Sequence, residues 1–152
     1  MNAELLTYPF LVIAIFFESF VLVTFLSTPA RKARARAAAR VDDPTLPRTS
    51  IIVPCLNEGE TVAATAESLL ALNYPKDKLE IILIDNGSTD NTPEVMSRYK
   101  NHPQVKVLTV LERGKHNAVN AGIAATSAEL GGCLDADSFV EPSALREIIP
   151  CF

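Results

Sequence analysis

Four short apolar runs punctuate the chain, SIIVP at 50–54, LEIILI at 79–84, VKVLTVL at 105–111 and LGGCL at 130–134, with a helix-like segment between each and the next. Continuous apolar runs of this length, without polar alternation, suit strands buried on both faces, which is the habit of parallel sheets. The segment 61–72 places Val62, Ala66, Leu69 and Leu70 at three- and four-residue spacing, one apolar helical face, and Pro75 stops it. Thr92 stands where it would cap a helix whose first residue is Pro93 and which runs to about Tyr99. Small residues dominate 117–126, a composition that lets a helix approach a sheet closely, and a last helix is predicted over 143–149. Strands alternating with helices predict an α/β fold with a parallel sheet and right-handed crossovers. The fourth strand carries the weakest signal, because Gly131 and Gly132 weaken a strand interior.

In such sheets ligands bind beyond the carboxyl ends of the strands. Asn57 and Glu58 follow the first run, Asp85 and Asn86 the second, Arg113 and Lys115 the third, and Asp135 and Asp137 the fourth, so all four polar clusters fall on one edge. Asp135-Ala136-Asp137 ends an apolar strand, which projects two carboxylates into the crevice. Hard oxygen ligands of this kind suit magnesium or manganese held between protein and phosphates, where the cation offsets charge on a departing diphosphate. A capped, solvated turn is the competing explanation of the same three residues. Arg113-Gly114-Lys115 sets two cations just ahead of a helix N-terminus, where backbone N–H groups also attract anions, and so suits a phosphate-bearing ligand as well as a solvated basic turn. His116 is expected to cap that helix or face solvent. Asp85 suits a hydrogen bond from a ribose or base, or the capping of its own DNGST turn.

The amino-terminal part is of another kind. The hydrophobic share of 48% and mean hydropathy of +0.18 are high beside 21% charged residues, because apolar side chains crowd into 5–26, whose one charge is Glu18. A helix of that length rises about 33 Å, enough for a bilayer core of about 30 Å, and is read as a transmembrane anchor. The basic cluster Arg31, Lys32, Arg34, Arg36 and Arg40 comes after the apolar run rather than before it, which argues against a cleaved signal peptide and for a cytoplasmic domain. Glu18 in mid-span would face another helix or stay protonated, since its charge at the bilayer centre costs at least about 2.5 kcal/mol. A linker with two prolines, 41–48, leads to the domain. Of the 18 acidic and 14 basic side chains, two and five precede residue 41, so residues 41–152 carry 16 against 9, a net of −7 that excludes non-specific nucleic-acid binding. Cys55, Cys133 and Cys151 lack metal-type spacing and read as reduced cytosolic thiols.

Taken together, SIIVPCLNEGE, EIILIDNGSTDNTPEV, RGKHNAVNAGIAAT and LDADSFVEPSAL resemble, in this order, the motifs of the family 2 glycosyltransferases, whose nucleotide-binding halves have the GT-A fold. The resemblance covers about 50–149. It implies strand order 3-2-1-4, and a division into an anchor at 1–28, a basic juxtamembrane linker at 29–48 and a GT-A half-domain at 49–152. Asp137 would be the main metal ligand with Asp135 beside it. Asp85 and Asn86 would hold the base and ribose, and Lys115 would lie near the diphosphate. Pro54, Asn57, Glu58, Asn120 and Asp135 complete the nucleotide-sugar-binding set. Where the family more often has aspartate, Asn86 supplies a neutral amide oxygen able to accept the same base N–H.

The implied activity is inverting, metal-dependent transfer from a nucleotide-diphosphate sugar, UDP-linked by preference, to a lipid-linked or polysaccharide acceptor at the cell membrane. Such transfer needs a base within hydrogen-bond reach of the acceptor hydroxyl. The resemblance places that carboxylate beyond Phe152, so the chain alone is expected to be inactive, with its fourth strand on an open edge. Other classes fit less well. A haloacid-dehalogenase-type phosphotransferase carries its DxD on the first strand, and a Rossmann oxidoreductase needs GxGxxG where this chain has CLNEGE. A membrane-tethered nucleotide-binding remnant without transfer activity is the non-enzymatic alternative.

Overall fold

The computed structural model describes residues 12–24, 45–149 and 152. From Thr49 onward it contains a four-stranded parallel sheet of order β3-β2-β1-β4, as the sequence predicts. The elements run β1 (Thr49–Cys55), α1 (Val62–Leu70), β2 (Leu79–Asp85), α2 (Thr92–Ser97), β3 (Val105–Thr109), α3 (Lys115–Ala125), β4 (Leu130–Cys133) and α4 (Ala144–Ile148).

The two central strands show why the runs are apolar throughout. Ile81, Ile82, Leu83 and Ile84 of β2 are all fully buried, each burial contributing roughly 1.5–3 kcal/mol. Alternate residues serve opposite faces. Ile51, Val53 and Cys55 of β1 with Ile81 and Leu83 of β2 meet Val62, Ala66 and Leu69 of α1 and Val95 and Met96 of α2. Ile52, Ile82 and Ile84 point the other way, onto Ala118 of α3. Leu145 and Ile149 at the α4 end join the first of these clusters.

The small-residue helix does pack closely on the sheet. A Cβ added at Gly122 would stand 2.6 Å from Ile52 Cγ2, so only glycine fits between α3 and β1. Gly131 and Gly132 differ: among the described residues nothing lies within 4 Å of a Cβ at either, and the β4 residues 131–133 are exposed. β4 nonetheless pairs with β1 from Thr49↔Leu130 to Ile52↔Cys133.

Several boundaries depart from the sequence reading. β1 continues one residue past Pro54, because β4 pairing has already ended at Ile52, while on the β2 side the Cys55 carbonyl still accepts the Asn86 N–H at 2.9 Å. The proline's missing N–H therefore breaks no ladder. β3 stops at Thr109 rather than Leu111, since β2 offers no partner beyond Asp85, whose carbonyl takes the Val110 N–H. α1 is shorter than 61–72, and α4 is confined to Ala144–Ile148.

One predicted cap is corrected. Thr92 is the first residue of α2 rather than its cap: Asn91 holds the cap position, and the Thr92 hydroxyl donates to Asp90 Oδ1. His116 is exposed, the second of the two places expected for it, and the cap position of α3 is Gly114. The helical segment 12–24 covers the middle of the predicted span and exposes Ile13, Phe16, Phe17 and Phe20. Among the described residues no helix is long and apolar enough to cross a membrane, and the ends of the span, the basic cluster, residues 41–44 and Cys151 lie outside them.

The contrast between the glycines is measurable in urea unfolding of the chain in detergent. Gly122→Val is expected to lose about 1–3 kcal/mol through overpacking against Ile52. Gly131→Ala, with open space around it, is expected to stay within about 0.5 kcal/mol of the parent.

Candidate functional site

The first two loops at the carboxyl edge are tied to each other by their own polar groups. Asn57 adopts a left-handed backbone (φ 58), which asparagine tolerates, and its Oδ1 accepts the Thr89 N–H at 2.8 Å. The Asn57 N–H donates to Ser88 Oγ and the Glu58 N–H to Thr92 Oγ1. Asp90 accepts from the Gly59 N–H, the Thr92 N–H and the Thr92 hydroxyl. The loop after β1 and the turn after β2 thus form one cross-linked unit. Asp85 is buried and turns its Oδ1 to the Ser88 N–H, so it caps its own turn.

Beside this unit opens a crevice of about 340 Å³ lined by Pro54 and Cys55 at the end of β1, Leu56 and Glu58 after it, Asn86 after β2, Gly114 and Lys115 at the start of α3, and Asp135, Ala136 and Asp137 after β4. All four predicted polar clusters therefore contribute a residue to one space. Burial of Ala136, whose carbonyl accepts the Thr65 hydroxyl at 2.7 Å, anchors the acidic turn on α1 and leaves the flanking Asp135 and Asp137 side chains accessible. Asn86 is 3% exposed, and its Oδ1 has no hydrogen-bond partner among the described residues. A buried amide oxygen without a donor is costly unless something supplies one, by about 1–3 kcal/mol.

α3 begins at Lys115, two residues before the sequence reading places it, because Gly114 (φ 132) takes a backbone that other residues rarely adopt. Lys115 is thereby the first residue of the helix, and its Nζ donates to Asp135 Oδ1. That contact raises the Lys115 pKa. Burial pushes the Cys55 thiol up to about 12, so it is an inert wall of the crevice rather than a nucleophile.

Asn57, Asp85 and Asn120 do not line the crevice. The first two hold its loops, and Asn120 is exposed on α3. Sequence reasoning passes over Leu56 and Cys55 as wall residues and Thr65 and Asp90 as anchors. The anchors' partners Gly59 and Ala136 are 31 and 71 residues away, and no local pattern announces such contacts. Arg113 packs over Gly87 in the turn after β2.

As a cation site the acidic turn supplies two carboxylates, and among the described residues no three His, Cys, Asp or Glu side chains group as a metal site. That donor set fits a magnesium- or manganese-type ion which keeps water and takes a ligand's phosphates for its remaining positions. A larger cavity, about 480 Å³, lies at the opposite edge among Arg48, Lys76, Glu80, His102 and Lys106. It sits at the amino ends of the strands, away from the turn-borne acidic and amide groups, and parallel sheets of this kind bind ligands at the other end.

Comparison with known proteins agrees with this fold. The sequence model of "Glycosyl transferase family 2" matches residues 50–152. The chain belongs to glycosyltransferase family 2. Among curated family relatives, the poly-beta-1,6-N-acetyl-D-glucosamine synthase of Staphylococcus epidermidis is 43% identical over 96 residues, 62% of this chain and 23% of the synthase. Its counterpart in Staphylococcus aureus (strain COL) is 39% identical over 104 residues, 68% of this chain and 25% of that one. The chain therefore spans about a quarter of the length of these family members. Among solved structures, the mannosyltransferase PcManGT from Pyrobaculum calidifontis, in complex with GDP-Man and Mn2+, superposes with a TM-score of 0.63 at 30% identity over 90% of this chain and 42% of that one. S. aureus TarS 1-349 in complex with UDP-GlcNAc gives 0.59 at 25% identity over 66% of this chain and 29% of that one. The GT-A reading of the parallel sheet stands.

The cross-linked loops carry a pH signature. The Thr92 hydroxyl, foremost among its donors, holds the Asp90 carboxyl below the usual carboxylate range. With the folded pKa below an unfolded value of about 3.9, the linked stability is complete above that value and is lost as pH falls through the folded one. Asp90→Asn is expected to lower the urea midpoint at pH 7, and the gap to the parent should narrow as pH falls below about 4.

Proposed function

We propose that this chain is the donor-binding part of a membrane-anchored glycosyltransferase that moves a sugar, with inversion, from a nucleotide-diphosphate sugar to a growing polysaccharide or lipid-linked acceptor. The observation that carries the reading is the buried Asn86 Oδ1, without a hydrogen-bond partner among the described residues, in the same crevice as Lys115, Asp135 and Asp137. An N–H of a nucleobase would meet that oxygen, and the acidic turn would face the diphosphate. Asp135 and Asp137 would hold a magnesium or manganese ion, which would act there as a Lewis acid. Pro54 and Glu58 wall the base and ribose, Asp85 and Asn57 keep the loops in place, and Asn120 lies further along α3.

The names of the family relatives support polysaccharide synthesis, and the ligands of the solved neighbours support nucleotide-sugar donors, with UDP-N-acetylglucosamine as the leading candidate. Membrane anchoring rests on the apolar run 5–26, and a cytoplasmic domain at 49–152 rests on the basic cluster 31–40. Exposed phenylalanines along 12–24 suit lipid surroundings better than water.

Calorimetry of UDP with the chain in detergent tests the reading. Binding is expected to be at least tenfold tighter with Mn2+ than with chelator. Asp137→Ala should remove the metal-dependent part, and Asn86→Leu should weaken binding with and without metal, since it removes the acceptor. Equal affinity with and without metal in the folded parent leaves the acidic turn as a solvated turn and overturns the assignment.

A further inference from the structure

Lys115 follows β3 and Asp135 follows β4, yet they meet in the donor crevice, with the Lys115 ammonium on Asp135 Oδ1. Neither partner is locked in place. Their side chains are 62% and 59% exposed, and no other hydrogen bond of Lys115 Nζ or of the Asp135 carboxylate is seen among the described residues. An exposed pair of this kind shifts an equilibrium by up to about fivefold, so it holds a preferred arrangement without freezing it. Asp137, two residues on, has no such cation on it among the described residues.

We propose that Lys115 is an internal counter-ion of Asp135 that exchanges partners on ligand binding, releasing Asp135 to a divalent cation and moving its ammonium to the diphosphate, so that metal and nucleotide bind cooperatively. The inference rests on the proposed donor site and adds the order of affinities within it. An ammonium on Oδ1 and a divalent cation at the same carboxylate repel each other, and Lys115 must leave for Asp135 to coordinate. Once it leaves, Lys115 still stands at the first position of the eleven-residue helix α3, where the N-terminal N–H groups and the glycine cap at Gly114 favour an anion. A diphosphate at that point takes up the released ammonium. With metal alone Lys115 gains no new partner; with both ligands it does. The two ligands therefore assist each other through one side chain, a coupling that must act equally on both affinities.

The test measures free Mn2+ by its paramagnetic resonance signal during titration of the full chain in detergent, with and without saturating UDP, for the parent, Lys115→Gln and Asp137→Ala. Without nucleotide, Lys115→Gln is expected to bind Mn2+ about two- to fivefold more tightly than the parent, because Asp135 has lost its competitor. With UDP the order reverses, and the ratio of the two Mn2+ affinities falls at least fivefold in Lys115→Gln. Unchanged or weaker Mn2+ binding by Lys115→Gln in the absence of UDP, while Asp137→Ala still abolishes binding, overturns the exchange and leaves the donor site intact. Mn2+ binding that is indifferent to Asp137→Ala overturns the donor-site reading itself and the exchange with it. Circular dichroism of each variant confirms that a lost affinity is not a lost fold.

Discussion

The parallel pairing of Thr49–Cys55 with Leu79–Asp85, seven residues in unbroken register, is the constraint on which the rest of the structure depends. Slipping it by one residue would turn Ile51 and Val53 away from α1 and send Ile52 out of its contact with α3, exchanging the two faces of the core. The same register ends both strands at one level, with Cys55 opposite Asp85. The loop bearing Asn57 and Glu58 and the turn bearing Ser88, Thr89 and Asp90 therefore emerge side by side, close enough to be joined by direct hydrogen bonds. The crevice wall is a consequence of strand pairing before it is a matter of ligand chemistry.

Two further placements come from packing. Gly122 lets α3 settle onto Ile52, which brings the start of that helix, and with it Lys115, to the carboxyl edge. Ala136 is buried and tied to Thr65, so the acidic turn is held from behind by α1 while its two carboxylates stay in the open. Anchoring through a small central residue holds the backbone of the Asp-Ala-Asp turn and leaves the carboxylate on either side exposed. The Asn86 side chain, by contrast, is buried where nothing among the described residues answers its oxygen.

Much of this was legible before any coordinates. Apolar runs with intervening helical periodicity dictated the parallel sheet, and the rule that ligands sit beyond strand carboxyl ends collected the polar clusters on the edge where the crevice opens. The four motifs that resemble family 2 glycosyltransferases placed Asn86, Lys115, Asp135 and Asp137 together, and they do share the crevice. What was not legible has a common cause. The start of α3 depends on a glycine backbone at φ 132 rather than on a capping side chain, so spacing placed it two residues late. The role of Asn57 as a clasp for Thr89, and of Asp90 as a clasp for Gly59, depends on groups 32 and 31 residues away. Local pattern assigns such residues to a ligand or to a turn, because it has no means of seeing the other strand's loop.

In the proposed function the carboxyl-edge crevice, rather than the larger cavity at the amino ends of the strands, receives the nucleotide and its metal. The most direct measurement is paramagnetic broadening of backbone amide resonances by Mn2+ in the presence of UDP, with the chain isotopically labelled in detergent. The account predicts that signals of residues 55–58, 86–88, 113–116 and 134–138 broaden first while those of 76–80 and 102–104 stay sharp, and that Asp137→Ala abolishes the effect. Selective broadening at 76–80 and 102–104, or broadening that Asp137→Ala leaves unchanged, would contradict it.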